Sequence, residues 1–414
     1  MGIVEDARTI VNASIHSVLP GVAVREALSG LDIRRPVHLV AIGKAAWTMA
    51  EAACQTLGDA IAGGVVITKY HHAKSELARL EIVEAGHPVP DENSVYGARK
   101  AMELAGKLGA DDRVLLLVSG GGSALFELPR NGVTLEDIAS ATRQLLASGA
   151  DIVEINVIRK RLSAVKGGRF AQQCAPASVT AIVLSDVLGD PLDSIASGPA
   201  HPDHTTCQDA LRIVRKYHIR LSESAMDALG EETPKALDNV ETHIIGNVKR
   251  LCDQAAIASR TLGYAPMILT TTLNCEAREA GAFLAAVARE IRETGSPVRP
   301  PCAVILGGET VVHLRGDGRG GRNQELALAA APGIADLADT LIFSVGSDGT
   351  DGPTNAAGAM VTGAFCRDCL QKGLSIEAHL ENNDSYTIHD AMDSLIVTGP
   401  TGTNVNDLAV ILCE

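Results

Sequence analysis

Four glycine-rich turns gather the side chains of this 414-residue chain that could do chemistry: V-S-G-G-G-S at 118–123, G-D-G-R-G-G-R-N at 316–323, G-S-D-G-T-D-G at 346–352 and G-P-T-G-T-N at 399–404. Three of them follow apolar runs that read as strands. Glycine lets backbone N–H groups converge on a ligand with no Cβ in the way. A strand, a glycine turn and a helix start together make an anion site. Several such turns beside Lys, Arg and Asp point to an enzyme that handles phosphate. In the first turn, Gly120, Gly121, Gly122 and Ser123 are the candidate anion contacts, although a tight packing turn has the same composition. In the second, Gly320 and Gly321 lead into Arg322 and Asn323 at the head of an Ala/Leu-rich helix. A guanidinium there suits bidentate recognition of a carboxylate or phosphate. Asn404, in the last turn, is a further candidate contact.

Carboxylates accompany these turns. Asp186 ends an apolar run and Asp190 follows it, while Asp348 and Asp351 share one turn. Strand-end carboxylates suit Mg²⁺, directly or through water, and the pair on one turn also suits a general base. Asp-Gly equally favours an ordinary Asx turn. Lys44 stands where a strand hands over to a helix. It either projects over the carboxyl edge of a sheet, where ligands bind in open α/β folds, or is a solvated lysine at a helix start. The segment 156–168 is rich in cations. A solvated basic face is the usual meaning of such a run, with Lys160, Lys166 and the following Arg169 as alternative phosphate neutralisers. His201 and His204 lack a complete zinc ligand set, and Cys366 and Cys369 form a lone C-x-x-C that reads as two small side chains on a helix. Neither a dinucleotide fingerprint, nor a Walker loop, nor a hydrolase elbow is found.

The elements that must position these residues alternate. Val37–Ile42, Gly64–Thr68, Leu80–Glu84, Val114–Val118 and Ser178–Leu184 read as strands, with helices over Ala45–Leu57 and Val95–Leu108 between them. This β–α–β order implies a parallel sheet with helices on both faces. A polar, breaker-rich stretch over Leu229–Val240 suggests a domain boundary, giving domains 1–235 and 236–414. The second half restarts with strands at His243–Ile245, Ala265–Leu269, Cys302–Leu306, Val311–Leu314 and Leu341–Val345, and helices at 248–262, 276–293 and 323–331.

Composition excludes several classes. The net charge is −14 and aromatics are 3%, so neither a basic footprint nor a base-stacking platform for nucleic acid is present. No apolar run reaches the roughly 20 residues of a membrane span, and the N-terminus lacks signal-peptide character. Nine cysteines with no spacing frame argue against a disulfide scaffold. The expectation is a cytoplasmic enzyme of small molecules, with no nucleic-acid or membrane partner and with room for a homo-oligomer.

At these residues the chain resembles the class II glycerate 2-kinase family. The motifs are G-K-A-A, T-K-Y-x-H, E-A-G-H-P-V-P-D, S-G-G-G-S-A-L, R-K-x-L-S-x-x-K-G-G, L-S-D-V-x-G-D, I-A-S-G-P, G-G-E-T, G-R-G-G-R-N-Q-E, D-G-x-D-G-P-T and G-P-T-G-T-N-V-N-D-L, in order from about Gly43 to the C-terminus. The C-terminal half resembles the region called MOFRL. The resemblance implies two α/β domains, the first Rossmann-like with a mostly parallel sheet and the second smaller, with the active site in the interdomain cleft. It implies ATP-dependent phosphorylation of D-glycerate at the 2-hydroxyl, with ATP and Mg²⁺ as cofactors. By motif it assigns the family's catalytic Lys and Arg to Lys44 and Arg322. Contacts to substrate or ATP then fall to Gly120, Gly121, Gly122, Ser123, Lys160, Gly320, Gly321, Asn323 and Asn404, and metal contacts to Asp186, Asp190, Asp348 and Asp351. An older family name, hydroxypyruvate reductase, supplies the alternative of an NAD(P)H-dependent reductase. This chain departs from the family pattern at His71, Arg161, His201, His204 and Asn355, which bears on substrate preference more than on reaction type.

Overall fold

A computed structural model describes residues 2–31 and 36–414. It divides into two compact units, 20–245 and 1–19 with 246–414.

The first unit is built on a six-stranded sheet of β1 (Val37–Ile42), β2 (Ile61–Lys69), β3 (Leu80–Ala85), β4 (Arg113–Val118), β5 (Ser178–Leu184) and β6 (Val240–Gly246) in the order β3-β2-β1-β4-β5-β6. The pairings of β1 with β2 and β4, of β2 with β3 and of β4 with β5 are all parallel. That order is the Rossmann one, in which the direction of winding reverses between the first and fourth strands. The continuous apolar runs arise because these strands are covered on both faces. Ile42, Leu116 and Leu117 are wholly buried, and truncating such a leucine to alanine costs roughly 2–5 kcal/mol. Side-chain caps fix helix starts: Asp91 accepts from the Ser94 amide, and Thr134 from that of Asp137, each in a reciprocal capping box.

The second unit carries a mixed sheet of β7 (Ala265–Leu273), β8 (Cys302–Gly308), β9 (Thr340–Gly346), β10 (Gly358–Thr362), β11 (Leu395–Ile396) and β12 (Asp407–Cys413), ordered β11-β10-β9-β12-β8-β7. Only β7 and β8 run parallel; β12 lies antiparallel between β8 and β9, and β10 pairs antiparallel with β9 and β11. The last strand of the chain therefore sits in the middle of the sheet. The helix Arg322–Ala330 is buried nearly all round within this unit's core.

Three expectations need correction. His243–Ile245 belongs to β6 on the edge of the first sheet and not to the second half's sheet, and the first compact unit runs through Ile245. The first helix, Ile3–Ser17, groups with the second unit. There Asp6 and Glu414 both lie within hydrogen-bond distance of the Tyr264 hydroxyl, at 3.0 and 2.9 Å, and Arg250 Nε donates to the Ser17 carbonyl at 3.1 Å. Val311–Leu314 is not a strand: Val311 makes one isolated bridge to Glu276, and Leu314 is exposed.

Candidate active site

In the first unit the turns after β1 and β4 interlock where the strand order reverses. The Lys44 amide donates to the Gly120 carbonyl (2.9 Å), the Ser119 amide to the Ile42 carbonyl (3.0 Å) and the Ala45 amide to Ser119 Oγ (3.1 Å). Gly43 has φ +116°, and a Cβ there would collide with the Ser119 side chain and carbonyl. A Cβ on Gly120 would collide with the Asp186 carboxylate, and one on Gly122 with Ala196. The glycines thus let the two turns and the connection after β5 approach one another closely. The first amides of the helical turn Gly122–Leu125 have no intrahelical acceptor, and Lys44 stands half-buried beside them.

Ser123 extends this arrangement. Its hydroxyl lies 2.9 Å from Ser197 Oγ, which donates to Asn156 Oδ1 at 3.2 Å. Since Ser197 spends its proton on Asn156, Ser123 donates to Ser197. Ala196, Ser197 and Gly198 all have left-handed backbone, with φ of 50°, 59° and 64°. Two consecutive non-glycine residues in that region are a strained conformation, which surrounding contacts must hold in place.

The basic run is not a solvated face. Lys160 Nζ is buried and donates to Asp193 (2.9 Å) and Asp203 (3.4 Å). Arg161 is buried against the Thr205 carbonyl (2.7 Å) and hydroxyl (3.0 Å). Lys166 is buried against Glu127 (2.6 Å) and the Phe126 carbonyl (3.0 Å), and burial pushes its ammonium below the usual lysine range. Burial opposes ionisation of Asp203, but Lys160 and the hydroxyls of Thr233 and Thr205 outweigh it and hold the carboxyl below its ordinary value. Each buried cation is matched because an unpaired one would cost several kcal/mol. Lys160 is therefore paired inside the unit through two of its three ammonium protons, and the expectation of a solvated run failed because spacing alone does not show which carboxylates lie opposite.

In the second unit Arg322 is gripped by carboxylates. Its Nε and Nη2 form a fork on Asp407 (2.5 and 3.0 Å), and Nη1 donates to Glu309 (2.9 Å). A guanidinium has five N–H donors, so these three bonds leave two, one on each terminal nitrogen. Burial pushes the Asp407 carboxyl up to about 6 despite the lowering by Arg322, and Asp351 adds to the rise. The guanidinium is itself desolvated, yet Asp407 and Glu309 raise it well above its usual range. The two shifts pull against each other on one pair. At neutral pH both groups are charged, which is the state the fork geometry requires. Glu309 also accepts from Asn406 Nδ2 at 3.2 Å.

Asp351 has a different task. It accepts from the Asn323 and Gln324 amides (3.1 and 2.9 Å) and from both of their side-chain amides (3.3 and 2.9 Å). It caps the helix Arg322–Ala330 from outside, because the N-cap residue Gly321 has no side chain to do so. A Cβ on Gly321 would strike Asp351, and one on Gly320 would strike Ser385. These two glycines serve close packing. Asn323 is equally committed, receiving the Ser344 hydroxyl at 2.6 Å on its free oxygen. Asp348 makes an Asx turn to the Thr350 amide (2.9 Å), and Asn404 accepts the Asn406 amide at 3.3 Å. His389, wholly buried, donates from Nε2 to the Gln324 carbonyl (3.1 Å) and receives Ser394 Oγ on Nδ1 (2.7 Å). Burial pushes its imidazole down to about 4.

Asp186 and Asp190 lie in the first unit, Asp348 and Asp351 in the second. Among the described residues no group of three or more His, Cys, Asp or Glu side chains is placed to hold a metal ion. Cys366 and Cys369 lie on the helix Phe365–Gln371, and burial raises both thiols. His71 adopts φ 65°, a left-handed conformation that glycine takes at less cost. The residues missed from sequence are His87, Glu309, Asn406 and Asp407. All four lie inside or beside the quoted motifs, but their roles depend on which strand neighbours which. No helix among the described residues is long and apolar enough to cross a membrane.

Residues 6–230 match a domain of unknown function (DUF4147), and residues 302–407 match the MOFRL family. The chain is 53% identical to a D-glycerate 2-kinase of Thermotoga maritima over 97% of this chain and 96% of that one. It is 43% identical to a glycerate 2-kinase of Pyrococcus horikoshii, covering 92% and 88% of the two chains. It is 35% identical to the Homo sapiens glycerate kinase, covering 98% and 92%. A crystal structure of glycerate kinase from Thermotoga maritima superposes with a TM-score of 0.97, at 52% identity and 99% coverage of both chains. With this likeness running through both units, and with Lys44 and Arg322 each standing at a glycine-rich strand end, the chain belongs to the glycerate 2-kinase family.

Proposed function

We propose that this chain transfers the γ-phosphoryl group of ATP to the 2-hydroxyl of D-glycerate, giving 2-phosphoglycerate. The observation that carries the reading is the 53% identity, over nearly the whole of both chains, with a D-glycerate 2-kinase. Phosphoryl transfer needs positioning and charge neutralisation more than covalent chemistry. Lys44, with the amides that open the turn Gly122–Leu125, offers positive potential to phosphate oxygens. Arg322, held in orientation by Asp407 and Glu309, offers its two remaining N–H groups to an anion in the same turnover. Gly120 and Gly121 keep the approach clear of side chains, and Ser123 adds a hydroxyl to that rim. Asn404, whose Oδ1 accepts the Asn406 amide, offers its Nδ2–H groups as a further polar contact on the second unit.

Magnesium enters with the nucleotide, since Mg²⁺ on phosphates keeps several waters and takes only one or two protein carboxylates. Asp186, beside Gly120, fits that role, with Asp190 and Asp348 as further, half-buried carboxylates. Asp351 does not fit, because four donors already occupy its oxygens. The ion would neutralise charge on the transferring group. In a purified preparation, ATP, Mg²⁺ and D-glycerate should yield ADP and, by phosphorus NMR, 2- rather than 3-phosphoglycerate. No ADP, together with NADH oxidation by hydroxypyruvate, would replace this reading by the reductase.

A further inference from the structure

The motif E-A-G-H-P-V-P-D at 84–91 has no task in the scheme so far, yet the loop that follows β3 brings its histidine to the reacting end of the sheet. A Cβ built on Gly121 would lie 3.0 Å from both Cδ2 and Nε2 of His87 and 3.1 Å from Lys44 Cγ. The imidazole edge and the lysine stem therefore both border the space that a side chain at Gly121 would fill. Neither ring nitrogen of His87 has a hydrogen-bond partner among the described residues. His72 differs: its Nδ1 is tied to the Lys44 carbonyl at 2.9 Å, and its amide is held by Glu84 at 3.0 Å.

We propose, resting on the kinase reading above, that His87 Nε2 accepts the proton of the D-glycerate 2-hydroxyl as that oxygen attacks the γ-phosphorus. The O–H bond breaks and its proton goes to Nε2. The new O–P bond forms while the bond from phosphorus to the β-phosphate oxygen breaks, and ADP leaves with that electron pair. The imidazolium later returns its proton to water. Burial, then Lys44, Lys69 and His72, depress the His87 imidazole. The ring is therefore neutral at physiological pH, with a lone pair available, as a base must be. The same cations disfavour a standing imidazolium, which speeds release of the proton after transfer. The carboxylate nearest Gly121's neighbour, Asp186 beside Gly120, is left to the metal-bearing phosphates.

The test begins with the wild-type full chain. If it forms no ADP from ATP and D-glycerate, the kinase reading has failed and His87 is not at issue. With an active wild type, His87→Gln is expected to lower kcat by about 10²–10⁴-fold with the KM for D-glycerate and the melting temperature nearly unchanged. His87→Ala should regain part of its turnover in added imidazole, in proportion to the free-base concentration. A His87→Gln enzyme within a few-fold of wild-type kcat, or a loss confined to KM, overturns the proposal. So does a folded His87→Ala enzyme that imidazole does not restore. If neither variant folds, the wild-type His87 ring resonances decide. They should titrate below the ordinary histidine value and shift on adding D-glycerate, and unmoved resonances overturn it.

Discussion

Around Lys44 the chain places a cation among backbone carbonyls, glycines and other basic side chains; around Arg322 it places one among carboxylates. Lys44 lies beside a neutral His87 and the crowded turn Ser119–Gly122, so its ammonium is available to whatever anion arrives. Arg322 is already forked by Asp407 and tethered by Glu309, so its position is set but part of its charge is spent. One arrangement favours strength of attraction and leaves geometry to the ligand. The other sacrifices attraction for orientation, which suits a planar guanidinium that must present particular N–H groups. The difference predicts that replacements in the two clusters will separate stability from turnover in opposite ways.

The largest effect is expected where backbone meets backbone. Gly43→Ala adds a Cβ against the Ser119 carbonyl and side chain at a φ of +116°. No flexible neighbour can yield there. The cost should exceed about 4 kcal/mol, in the range reserved for disrupted cores, and the variant should be unfolded or insoluble by circular dichroism and gel filtration. A normally melting Gly43→Ala protein would mean that the two turns are not locked as described. Gly121→Ala is the milder companion. Its Cβ meets the His87 ring edge and the Lys44 stem at 3.0–3.1 Å, and its φ of +83° adds backbone strain, so it should fold with reduced stability and lose turnover.

Next come the cations themselves. Lys44→Ala and Arg322→Ala should each lower kcat by roughly 10²–10³-fold, the usual loss for one preorganised charge. Activity near wild type in either would remove that residue from the mechanism. The comparison sharpens at Asp407. Its carboxyl is raised to about 6 by burial, so its charge costs stability at neutral pH even with Arg322 beside it. A raised folded value means a contribution fully present below about 3.9, the unfolded value, and lost as pH rises through about 6. Asp407→Asn keeps the shape without the charge. Its Nδ2–H would, however, face a guanidinium N–H where an oxygen now accepts, so turnover should fall as the fork that aims Arg322 is lost, and the relief of the buried carboxylate is offset by the cation left with Glu309 alone. A variant that turns over normally would reverse the argument.

His389 lies under the Arg322 cluster and titrates with the opposite sign. Its imidazole is depressed to about 4, so the stability that goes with its neutral state is present above the unfolded value near 6.5 and is lost as pH falls toward 4. The loss should reach about 3 kcal/mol, at 1.36 kcal/mol per unit. Urea titrations of wild type and His389→Gln between pH 7 and 4.5 should show a steeper acid loss of stability in wild type than in the variant. Protonation of Nδ1 would reverse its bond with Ser394, whose hydroxyl can then donate to the His389 carbonyl at 3.2 Å, and would leave the Nε2 bond to Gln324 in place.

Much of this was legible beforehand, and the gaps have physical causes. The parallel sheet announced itself, because strands covered on both faces are continuous apolar runs, and β1, β4 and β5 stand close to where they were expected. The glycine turns also announced themselves. What glycine does in each is not written locally. Gly320 and Gly321 look like a phosphate cradle in sequence, and what the sequence does not show is that Ser385 and Asp351 occupy the space a Cβ on either would need. Asp351 reads as a metal ligand and is a helix cap, because its four donors come from residues 27 or 28 positions away. Asp407 could not be paired with Arg322 until β12 was known to insert between β8 and β9. Lys160 and Arg161 look solvated until Asp203 is seen opposite them.

The smallest effect marks the outer limit of the second cluster. Cys366 and Cys369 lie on a short helix far along the chain from Arg322, and burial raises both thiols, Cys369 to about 11. A thiol so raised is a poor nucleophile and a poor metal ligand at neutral pH, since the thiolate is the reactive form. Cys366 is half-buried, and serine replaces it with little change of volume. Cys366→Ser should leave kcat and KM unaltered and stability within about 0.5 kcal/mol, by steady-state assay and thermal melting in the presence and absence of a thiol reductant. A substantial loss, or sensitivity of the wild type to chelator or oxidant that the variant lacks, would tie this helix to the chemistry after all. The division between a catalytic glycine cluster and a structural periphery would then have to be redrawn through the helix Phe365–Gln371.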